Sequence, residues 1–327
     1  MHFVREIRFA CEMRLRRVRG FISFHIVTDG SNISHSAEPN ISLEKTMALC
    51  YNKNEEGGGC MADFYLLGNT SHTQMFGCVI KTKQKAIVID GGTYKDSKQL
   101  ADFLREYCNS HVDAWFFTHP HHDHIGCFVD IKKNYSDIAV DTLYYKFPDL
   151  MDSTYCTQAR SDFEAKLWDD VKEWDKKYHI HKVSSGEIFE LDEVKIYVLR
   201  VFDPNIIGIN DSSAVYRIEG KQHSVLILGD LGTKGGDDTM RKCPLELLQA
   251  DYTQMAHHGQ GGVSQEFYDY IKPKRCIWAS PDWLWNNDRG NGFDTDIFQT
   301  VRTREWMDEL GVTEHFVEKD GIQKIEI

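Results

Sequence analysis

Thr118-His119-Pro120-His121-His122-Asp123-His124-Ile125-Gly126 is the stretch on which the reading of this chain turns. Four imidazoles and a carboxylate fall at positions 119–124, directly after Val112-Asp113-Ala114-Trp115-Phe116-Phe117, an apolar run that reads as a buried strand. Neutral imidazole is the commonest metal ligand and carboxylate suits divalent cations, so this density of both at a strand end points to a metal site. In extended backbone, residues two apart point the same way. His119 and His121 can therefore grip one ion, while Asp123 and His124, past a bend, face a second. Pro120 argues against a helical ligand pair, which would need a spacing of four.

Working outward, the flanking sequence is that of a layered α/β protein. Asp63-Phe64-Tyr65-Leu66-Leu67, Gly77-Cys78-Val79-Ile80-Lys81 and Lys85-Ala86-Ile87-Val88-Ile89-Asp90 read as strands, the last stopping at Gly91-Gly92. Ser97 to Tyr107 has helical spacing of Leu100, Phe103, Leu104 and Tyr107, with Ser97 as cap. Beyond the histidines, a short helix, a strand over Ile138 to Phe147 and a long helix from Thr157 to about Lys177 are expected, the last burying Trp168, Val171 and Trp174. A hairpin is expected around Asp192-Glu193, and an edge hairpin of 314–317 with 322–327 around Lys319-Asp320-Gly321.

The second half carries its own chemistry. Ser224-Val225-Leu226-Ile227-Leu228 is a buried strand closed by Gly229-Asp230, and a carboxylate there needs a partner if buried. Tyr252 to Ala256 leads into His257-His258-Gly259. The irregular segment 280–292, with Trp283, Trp285 and Arg289, suits a substrate-facing loop and equally a surface loop pinned by its tryptophans.

His119-x-His121-x-Asp123-His124, preceded by Asp90-Gly91-Gly92 and followed by Gly229-Asp230 and His257-His258-Gly259, resembles the metallo-β-lactamase superfamily, over about Ala62 to Trp285. The branch it resembles most is the hydrolase domain of ComEC-type DNA-uptake proteins and related phosphodiesterases. The resemblance implies an αββα sandwich of two mixed β-sheets flanked by helices, with the site along one edge. It implies Asp90 beneath the metal loop, Asp230 shared between two metals, and one of the two later histidines as the remaining ligand. His257 is taken as that ligand because it is nearer the strand end, and His258 as a supporting group or proton donor. Many members carry a further histidine where this chain has Asn210-Asp211-Ser212-Ser213, as the ComEC-like branch does. That leaves a coordination position to water or to an oxygen of Asn210 or Asp211, so two divalent ions are expected, Zn²⁺ first, with Mn²⁺ tolerated.

The resemblance implies a hydrolase working through dinuclear metal-bound hydroxide, with Asp123 orienting the attacking water, on a phosphoester or phosphodiester. The alternatives are a carboxylic ester, lactone, thioester or β-lactam as substrate, and a metal-binding module without turnover. The net charge of −12 argues against long nucleic acid and for a small-molecule substrate. Nine scattered cysteines without a Cys-x-x-Cys favour free thiols and a cytoplasmic protein, and no apolar run approaches the ~20 residues of a membrane span. Residues 1–60, rich in Ser, Asn, Glu and Gly from Asp29 onward, are expected to be a flexible, dispensable leader to a catalytic domain over 61–327.

Overall fold

The computed structural model describes residues 16–18, 21–28, 31–36, 61–156 and 162–327. Most of the expected leader thus lies outside the described residues. Its described stretches, Arg16–Val18, Phe21–Thr28 and Ser31–Ser36, form a three-stranded antiparallel meander in chain order.

From Asp63 onward the strands assemble two seven-stranded sheets. The first contains β1 (Asp63–Leu66), β2 (Gly77–Lys81), β3 (Ala86–Asp90), β4 (His111–Phe116), β5 (Ala139–Tyr145) and β6 (Ile180–Lys182) in spatial sequence. The second runs through β7 (Ile188–Leu191), β8 (Val194–Arg200), β9 (Val215–Glu219), β10 (Ser224–Ile227), β11 (Tyr252–Gln254), β12 (Cys276–Trp278) and β13 (His315–Val317). A last strand, β14 (Gln323–Glu326), returns to pair antiparallel with β1 at the edge of the first sheet. Each sheet is antiparallel up to β3 or β10 and parallel from there on.

The pleat explains the layering. In β2, β3 and β4, Cys78, Ile80, Ile87, Ile89, Ala114 and Phe116 face Ile196, Val198, Tyr216, Ile218, Val225 and Ile227 of the second sheet. Their neighbours Val79, Val88 and Trp115 point the other way, into a second core with Leu100, Leu104, Phe128 and Ile131 from helices α1 (Ser97–Tyr107) and α2 (His122–Asn134). Two mixed sheets face to face with helices outside is the sandwich expected.

Four local expectations are corrected. The C-terminal strands do not form a hairpin: β13 pairs parallel with β12, β14 with β1, and the chain crosses between sheets through the turn Glu318–Asp320. The long helix is instead α3 (Asp162–Val171) followed by one turn at Trp174–Lys177, and the expected start at Thr157 lies outside the described residues. Leu167, Trp168, Val171 and Trp174 are buried as packing residues. Ser97 does not cap α1; its hydroxyl donates to Tyr94 O at 2.7 Å. The helix after the histidines begins earlier than expected, at His122. Among the described residues, five cysteines are free and buried, and no helix is long and apolar enough to cross a membrane.

Candidate metal centre

Strand β4 is buried through Phe117 and delivers Thr118 and His119 to the carboxyl end of the first sheet. Pro120 ends the extended run, and its carbonyl is held by Trp168 Nε1 at 2.7 Å. His121, still extended at φ −75° and ψ 154°, then stands at the start of α2, so that Asp123 and His124 lie in its first turn. The bend anticipated between the two ligand pairs is therefore a helix start, where the peptide dipole favours a carboxylate such as Asp123. His119 Nε2 and His121 Nδ1 come within 3.0 Å of each other.

Beneath them Asp90 closes β3 at φ 56°. Its Oδ1 accepts from Thr118 N at 2.8 Å, and its Oδ2 accepts from Thr118 Oγ1 and stands against His124 Nδ1, both at 2.7 Å. A proton held at Nδ1 by that carboxylate leaves His124 Nε2 bare, facing Asp230 Oδ1 at 3.2 Å.

The second sheet supplies the other half. After β10 the chain turns at Gly229, at φ 57°, where a Cβ would lie 2.9 Å from both Thr118 Cβ and Ser213 Oγ. Only glycine fits, and it lets the two sheet ends close on each other. Asp230 N donates to Ser213 Oγ at 3.1 Å. Past β11, His257 N donates to Gly229 O, and both His257 and His258 adopt left-handed backbone (φ 51° and 56°). That pair of turns swings His258 inward. Its Nδ1 sits 2.9 Å from Ala279 O, and its Nε2 lies 3.3 Å from Asp123 Oδ2 and 3.4 Å from Asp230 Oδ2.

Two groups of potential ligand atoms result, with all members of each within 4.8 Å of one another: His119, His121 and Asp230, and Asp123, His124, Asp230 and His258. Asp230 belongs to both. The choice of His257 over His258 is thus reversed: His257 Nε2 lies 3.3 Å from Asn210 Nδ2 and is outside both groups. His124 Nε2, His258 Nε2 and Asp230 Oδ1 are buried without a hydrogen bond of acceptable geometry, despite their ion-pair distances. Buried polar atoms are nearly always satisfied, and imidazole nitrogens facing carboxylate oxygens across a common gap are what Zn²⁺ or Mn²⁺ requires. The donor set fits divalent cations.

The electrostatics divide the histidines into two kinds. Burial pushes the pKa of His119 and His121 below the ordinary imidazole value and keeps them neutral. At His124 and His258 burial acts in the same direction but is outweighed by Asp230 with Asp90 or Asp123; His124 is pushed up to about 10, and His258 is raised well above its ordinary value. Burial would raise Asp230, yet the surrounding imidazoles hold it well below the ordinary carboxylate range.

The groups open into a cavity of about 260 Å³, walled by Gln74, Glu164, Trp283 and Arg289. Arg289 packs between the rings of Trp283 and Phe298, at 4.9 and 4.4 Å, and lies 3.3 Å from Asp296. Trp285, expected beside Trp283, does not line this cavity. It packs edge-on against Trp278 and carries Arg304 over its face. Asp211 also turns elsewhere, accepting the N–H groups of Gly232 and Gly235 at the start of α4 (Thr233–Lys242). Sequence reasoning missed Glu164, a buried carboxylate of α3 whose Oε1 is 3.7 Å from His122 Nδ1 and 4.0 Å from His121 Nε2. No local pattern marks it, because it reaches the histidines only through tertiary packing.

The sequence model of the Metallo-beta-lactamase superfamily matches residues 78–273. ComE operon protein 3 of Bacillus subtilis (strain 168) is 26% identical over 183 residues, 55% of this chain and 21% of that protein, so the chain spans about a fifth of that relative's length. Among solved structures, the metallo-beta-lactamase fold protein YhfI from Bacillus subtilis aligns over 81% of this chain and 100% of its own at 12% identity, with a TM-score of 0.49. A diphosphatase from the PhnP family aligns over 82% and 99% at 16% identity, with a TM-score of 0.46.

Proposed function

The chain belongs to the metallo-beta-lactamase superfamily, and from that premise we propose that it is a metal-dependent hydrolase of small phosphoesters, phosphodiesters above all. One observation carries the reading. Two ligand groups meet at Asp230, with bare, buried nitrogen and oxygen atoms turned toward the gap and an arginine at the mouth of the cavity above it.

In this reading His119, His121 and Asp230 would hold one divalent ion, and Asp123, His124, Asp230 and His258 the other, with Zn²⁺ or Mn²⁺ suited to either donor set. Such ions lower the pKa of a bound water toward neutrality and polarise a phosphoryl oxygen. The chain's own residues do the rest. Asp90 holds the His124 ring in one tautomer. Asp123, in the first turn of α2 and with Oδ2 3.3 Å from His258 Nε2, is held ionised against the burial that would protonate it, so a lone pair not committed to an ion could orient a water for attack. Arg289, braced between two rings, receives the anionic group of the substrate. The cysteines described as free are absent from the cavity lining, which disfavours a thiol nucleophile and is consistent with attack by water. The buried free thiols, and the scattered cysteines in general, support a cytoplasmic setting.

The test is turnover of bis-p-nitrophenyl phosphate, a thioester and nitrocefin by protein loaded with Zn²⁺ or Mn²⁺. Hydrolysis of the phosphodiester that is lost in Asp230→Ala is the expected result. Turnover of the thioester or nitrocefin alone would overturn the substrate class, and bound metal without any turnover would overturn the enzyme.

A further inference from the structure

The cavity above the ligand groups, at about 260 Å³, is small for a whole ester, so an arm of any size on a bound phosphoryl group must leave over the rim. His122 belongs to that rim. It lines the cavity, its side chain is 44% exposed, and its Nδ1 is 3.7 Å from Glu164 Oε1.

Outward from His122 the surface is aromatic. The centroids of the His122 and Phe163 rings are 6.2 Å apart with their planes at 86°, and Phe163 and Tyr94 follow at 5.4 Å and 53°. Phe163 comes from the first turn of α3, whose buried residues Glu164, Leu167, Trp168 and Val171 leave it outside. Tyr94 comes from the turn that joins Gly91-Gly92 to α1. The two residues are 45% and 46% exposed, and among the described residues they are the exposed large apolar side chains whose rings touch each other. Such side chains are ordinary when they stand singly; a touching pair that continues the wall of a cavity is a binding surface. Neither ring pair lies face to face, so Phe163 and Tyr94 both keep open surface for a third ring.

We propose that His122, Phe163 and Tyr94 form a platform that receives a planar aromatic arm of the substrate, so that the site selects phosphodiesters carrying an aryl ring or a nucleobase. This rests on the phosphodiester reading above. With the phosphoryl group at the ligand groups, the arm passes His122 and lies on Phe163 and Tyr94. A ring there gains both buried area and ring-to-ring attraction, whereas an aliphatic arm of equal size gains the area alone.

The experiment is isothermal titration of the Zn²⁺-loaded full chain with three inert monoesters of methylphosphonate, their alcohols being benzyl alcohol, thymidine through its 5′ oxygen, and cyclohexylmethanol. Turnover of bis-p-nitrophenyl phosphate is measured on the same preparations. At least one aromatic ester should bind about fivefold or more tightly than the cyclohexylmethyl ester, as stacking on an aromatic side chain allows. Preference for the benzyl ester would name an aryl arm, and preference for the thymidine ester a nucleobase. Phe163→Leu keeps an apolar side chain and removes the ring; it should abolish the preference while changing the affinity of the cyclohexylmethyl ester less than about twofold, within the range of an exposed substitution. Tyr94→Leu should reduce the preference. Equal binding of all three esters, or a preference that survives both substitutions, would overturn the platform, and with turnover intact the hydrolase reading would stand without it. Neither binding nor turnover would overturn that reading and the platform together.

Discussion

Replacing Asp90 by asparagine tests the metal centre without touching any atom assigned to a cation. The substitution keeps shape and volume. One amide oxygen can still accept from Thr118 N, as Oδ1 does at 2.8 Å, but an NH₂ donor now takes the place of Oδ2, which lies 2.7 Å from both Thr118 Oγ1 and His124 Nδ1. The hydroxyl can rotate and accept. The imidazole has no such freedom: to avoid two opposed donors, Nδ1 must lose its proton and Nε2 must take it. A protonated Nε2 cannot bind a metal, and it stands 3.2 Å from Asp230 Oδ1, where it would donate instead.

Loss of a group that orients a ligand histidine costs about 10–100-fold in metal affinity, and loss of a charge-assisted hydrogen bond about 1.5–3 kcal/mol of stability. Asp90→Asn should therefore fold, melt several degrees lower, and bind one ion normally through His119 and His121 while the other site weakens. Zn²⁺ titration against a chromophoric chelator resolves the two sites. Two sites of wild-type affinity in the variant would refute the assignment of His124 Nε2, and with it the role given to Asp90.

Three further outcomes are expected. Metal analysis of His258→Ala should show one ion fewer than the parent and that of His257→Ala no change; the opposite pattern would restore the ligand choice made from sequence. Arg289→Ala should raise KM for a phosphodiester by roughly twofold to fivefold, as an exposed charge contact allows, with kcat nearly unchanged and the difference shrinking in high salt; an equal effect on a neutral ester would remove Arg289 from substrate recognition. Glu318 is wholly buried, and burial raises its pKa well above the ordinary value. An acid raised on folding loses native stability as pH climbs past its unfolded pKa of about 4.5, so metal-free Glu318→Gln should gain in Tm over the parent at pH 8 and not at pH 4, and melting curves with a pH-independent difference would contradict this.

How much was legible in the sequence depended on how local the deciding interaction is. Ile87-Val88-Ile89 and Ala114-Trp115-Phe116 declare buried strands by themselves, and the spacing of His119, His121, Asp123 and His124 declares a metal loop. His257 and His258 could not be told apart locally, because Gly229 O fixes the first backbone and Ala279 O receives the second ring, both from distant chain. Trp283 and Trp285 point the same way only in an extended loop. In the short helix Asp282–Trp285 they diverge, one to the cavity and one to Trp278. The C-terminal hairpin looked sound from its turn residues. Burying Ile325 between the sheets, alongside Phe64, gives the edge strand β1 a partner, and that outcome is invisible to turn chemistry.

The two sheets raise a question that their hydrogen bonds answer. Each changes from antiparallel to parallel pairing after one strand, β3 or β10, and each has an aspartate at the carboxyl end of that strand, Asp90 as the last residue of β3 and Asp230 just past β10. The strand that follows leads in both cases to histidines, His119 after β4 and His258 after β11. By position alone either carboxylate could bridge two cations. Asp90 is surrounded by Thr118 N, Thr118 Oγ1 and His124 Nδ1, which together engage both of its oxygens, and no group of potential ligand atoms includes it. Asp230 receives no such support on its side chain: Oδ1 is buried and unpartnered, and Oδ2 lies 3.6 Å from His119 Nε2 and 3.4 Å from His258 Nε2. A carboxylate whose oxygens already accept strong hydrogen bonds would have to break them to bind metal, whereas one left bare in the interior gains from a cation everything that burial took from it. The unequal hydrogen bonding of the two aspartates therefore supports the proposal that Asp230 would be shared between the ions and that Asp90 would support a ligand histidine.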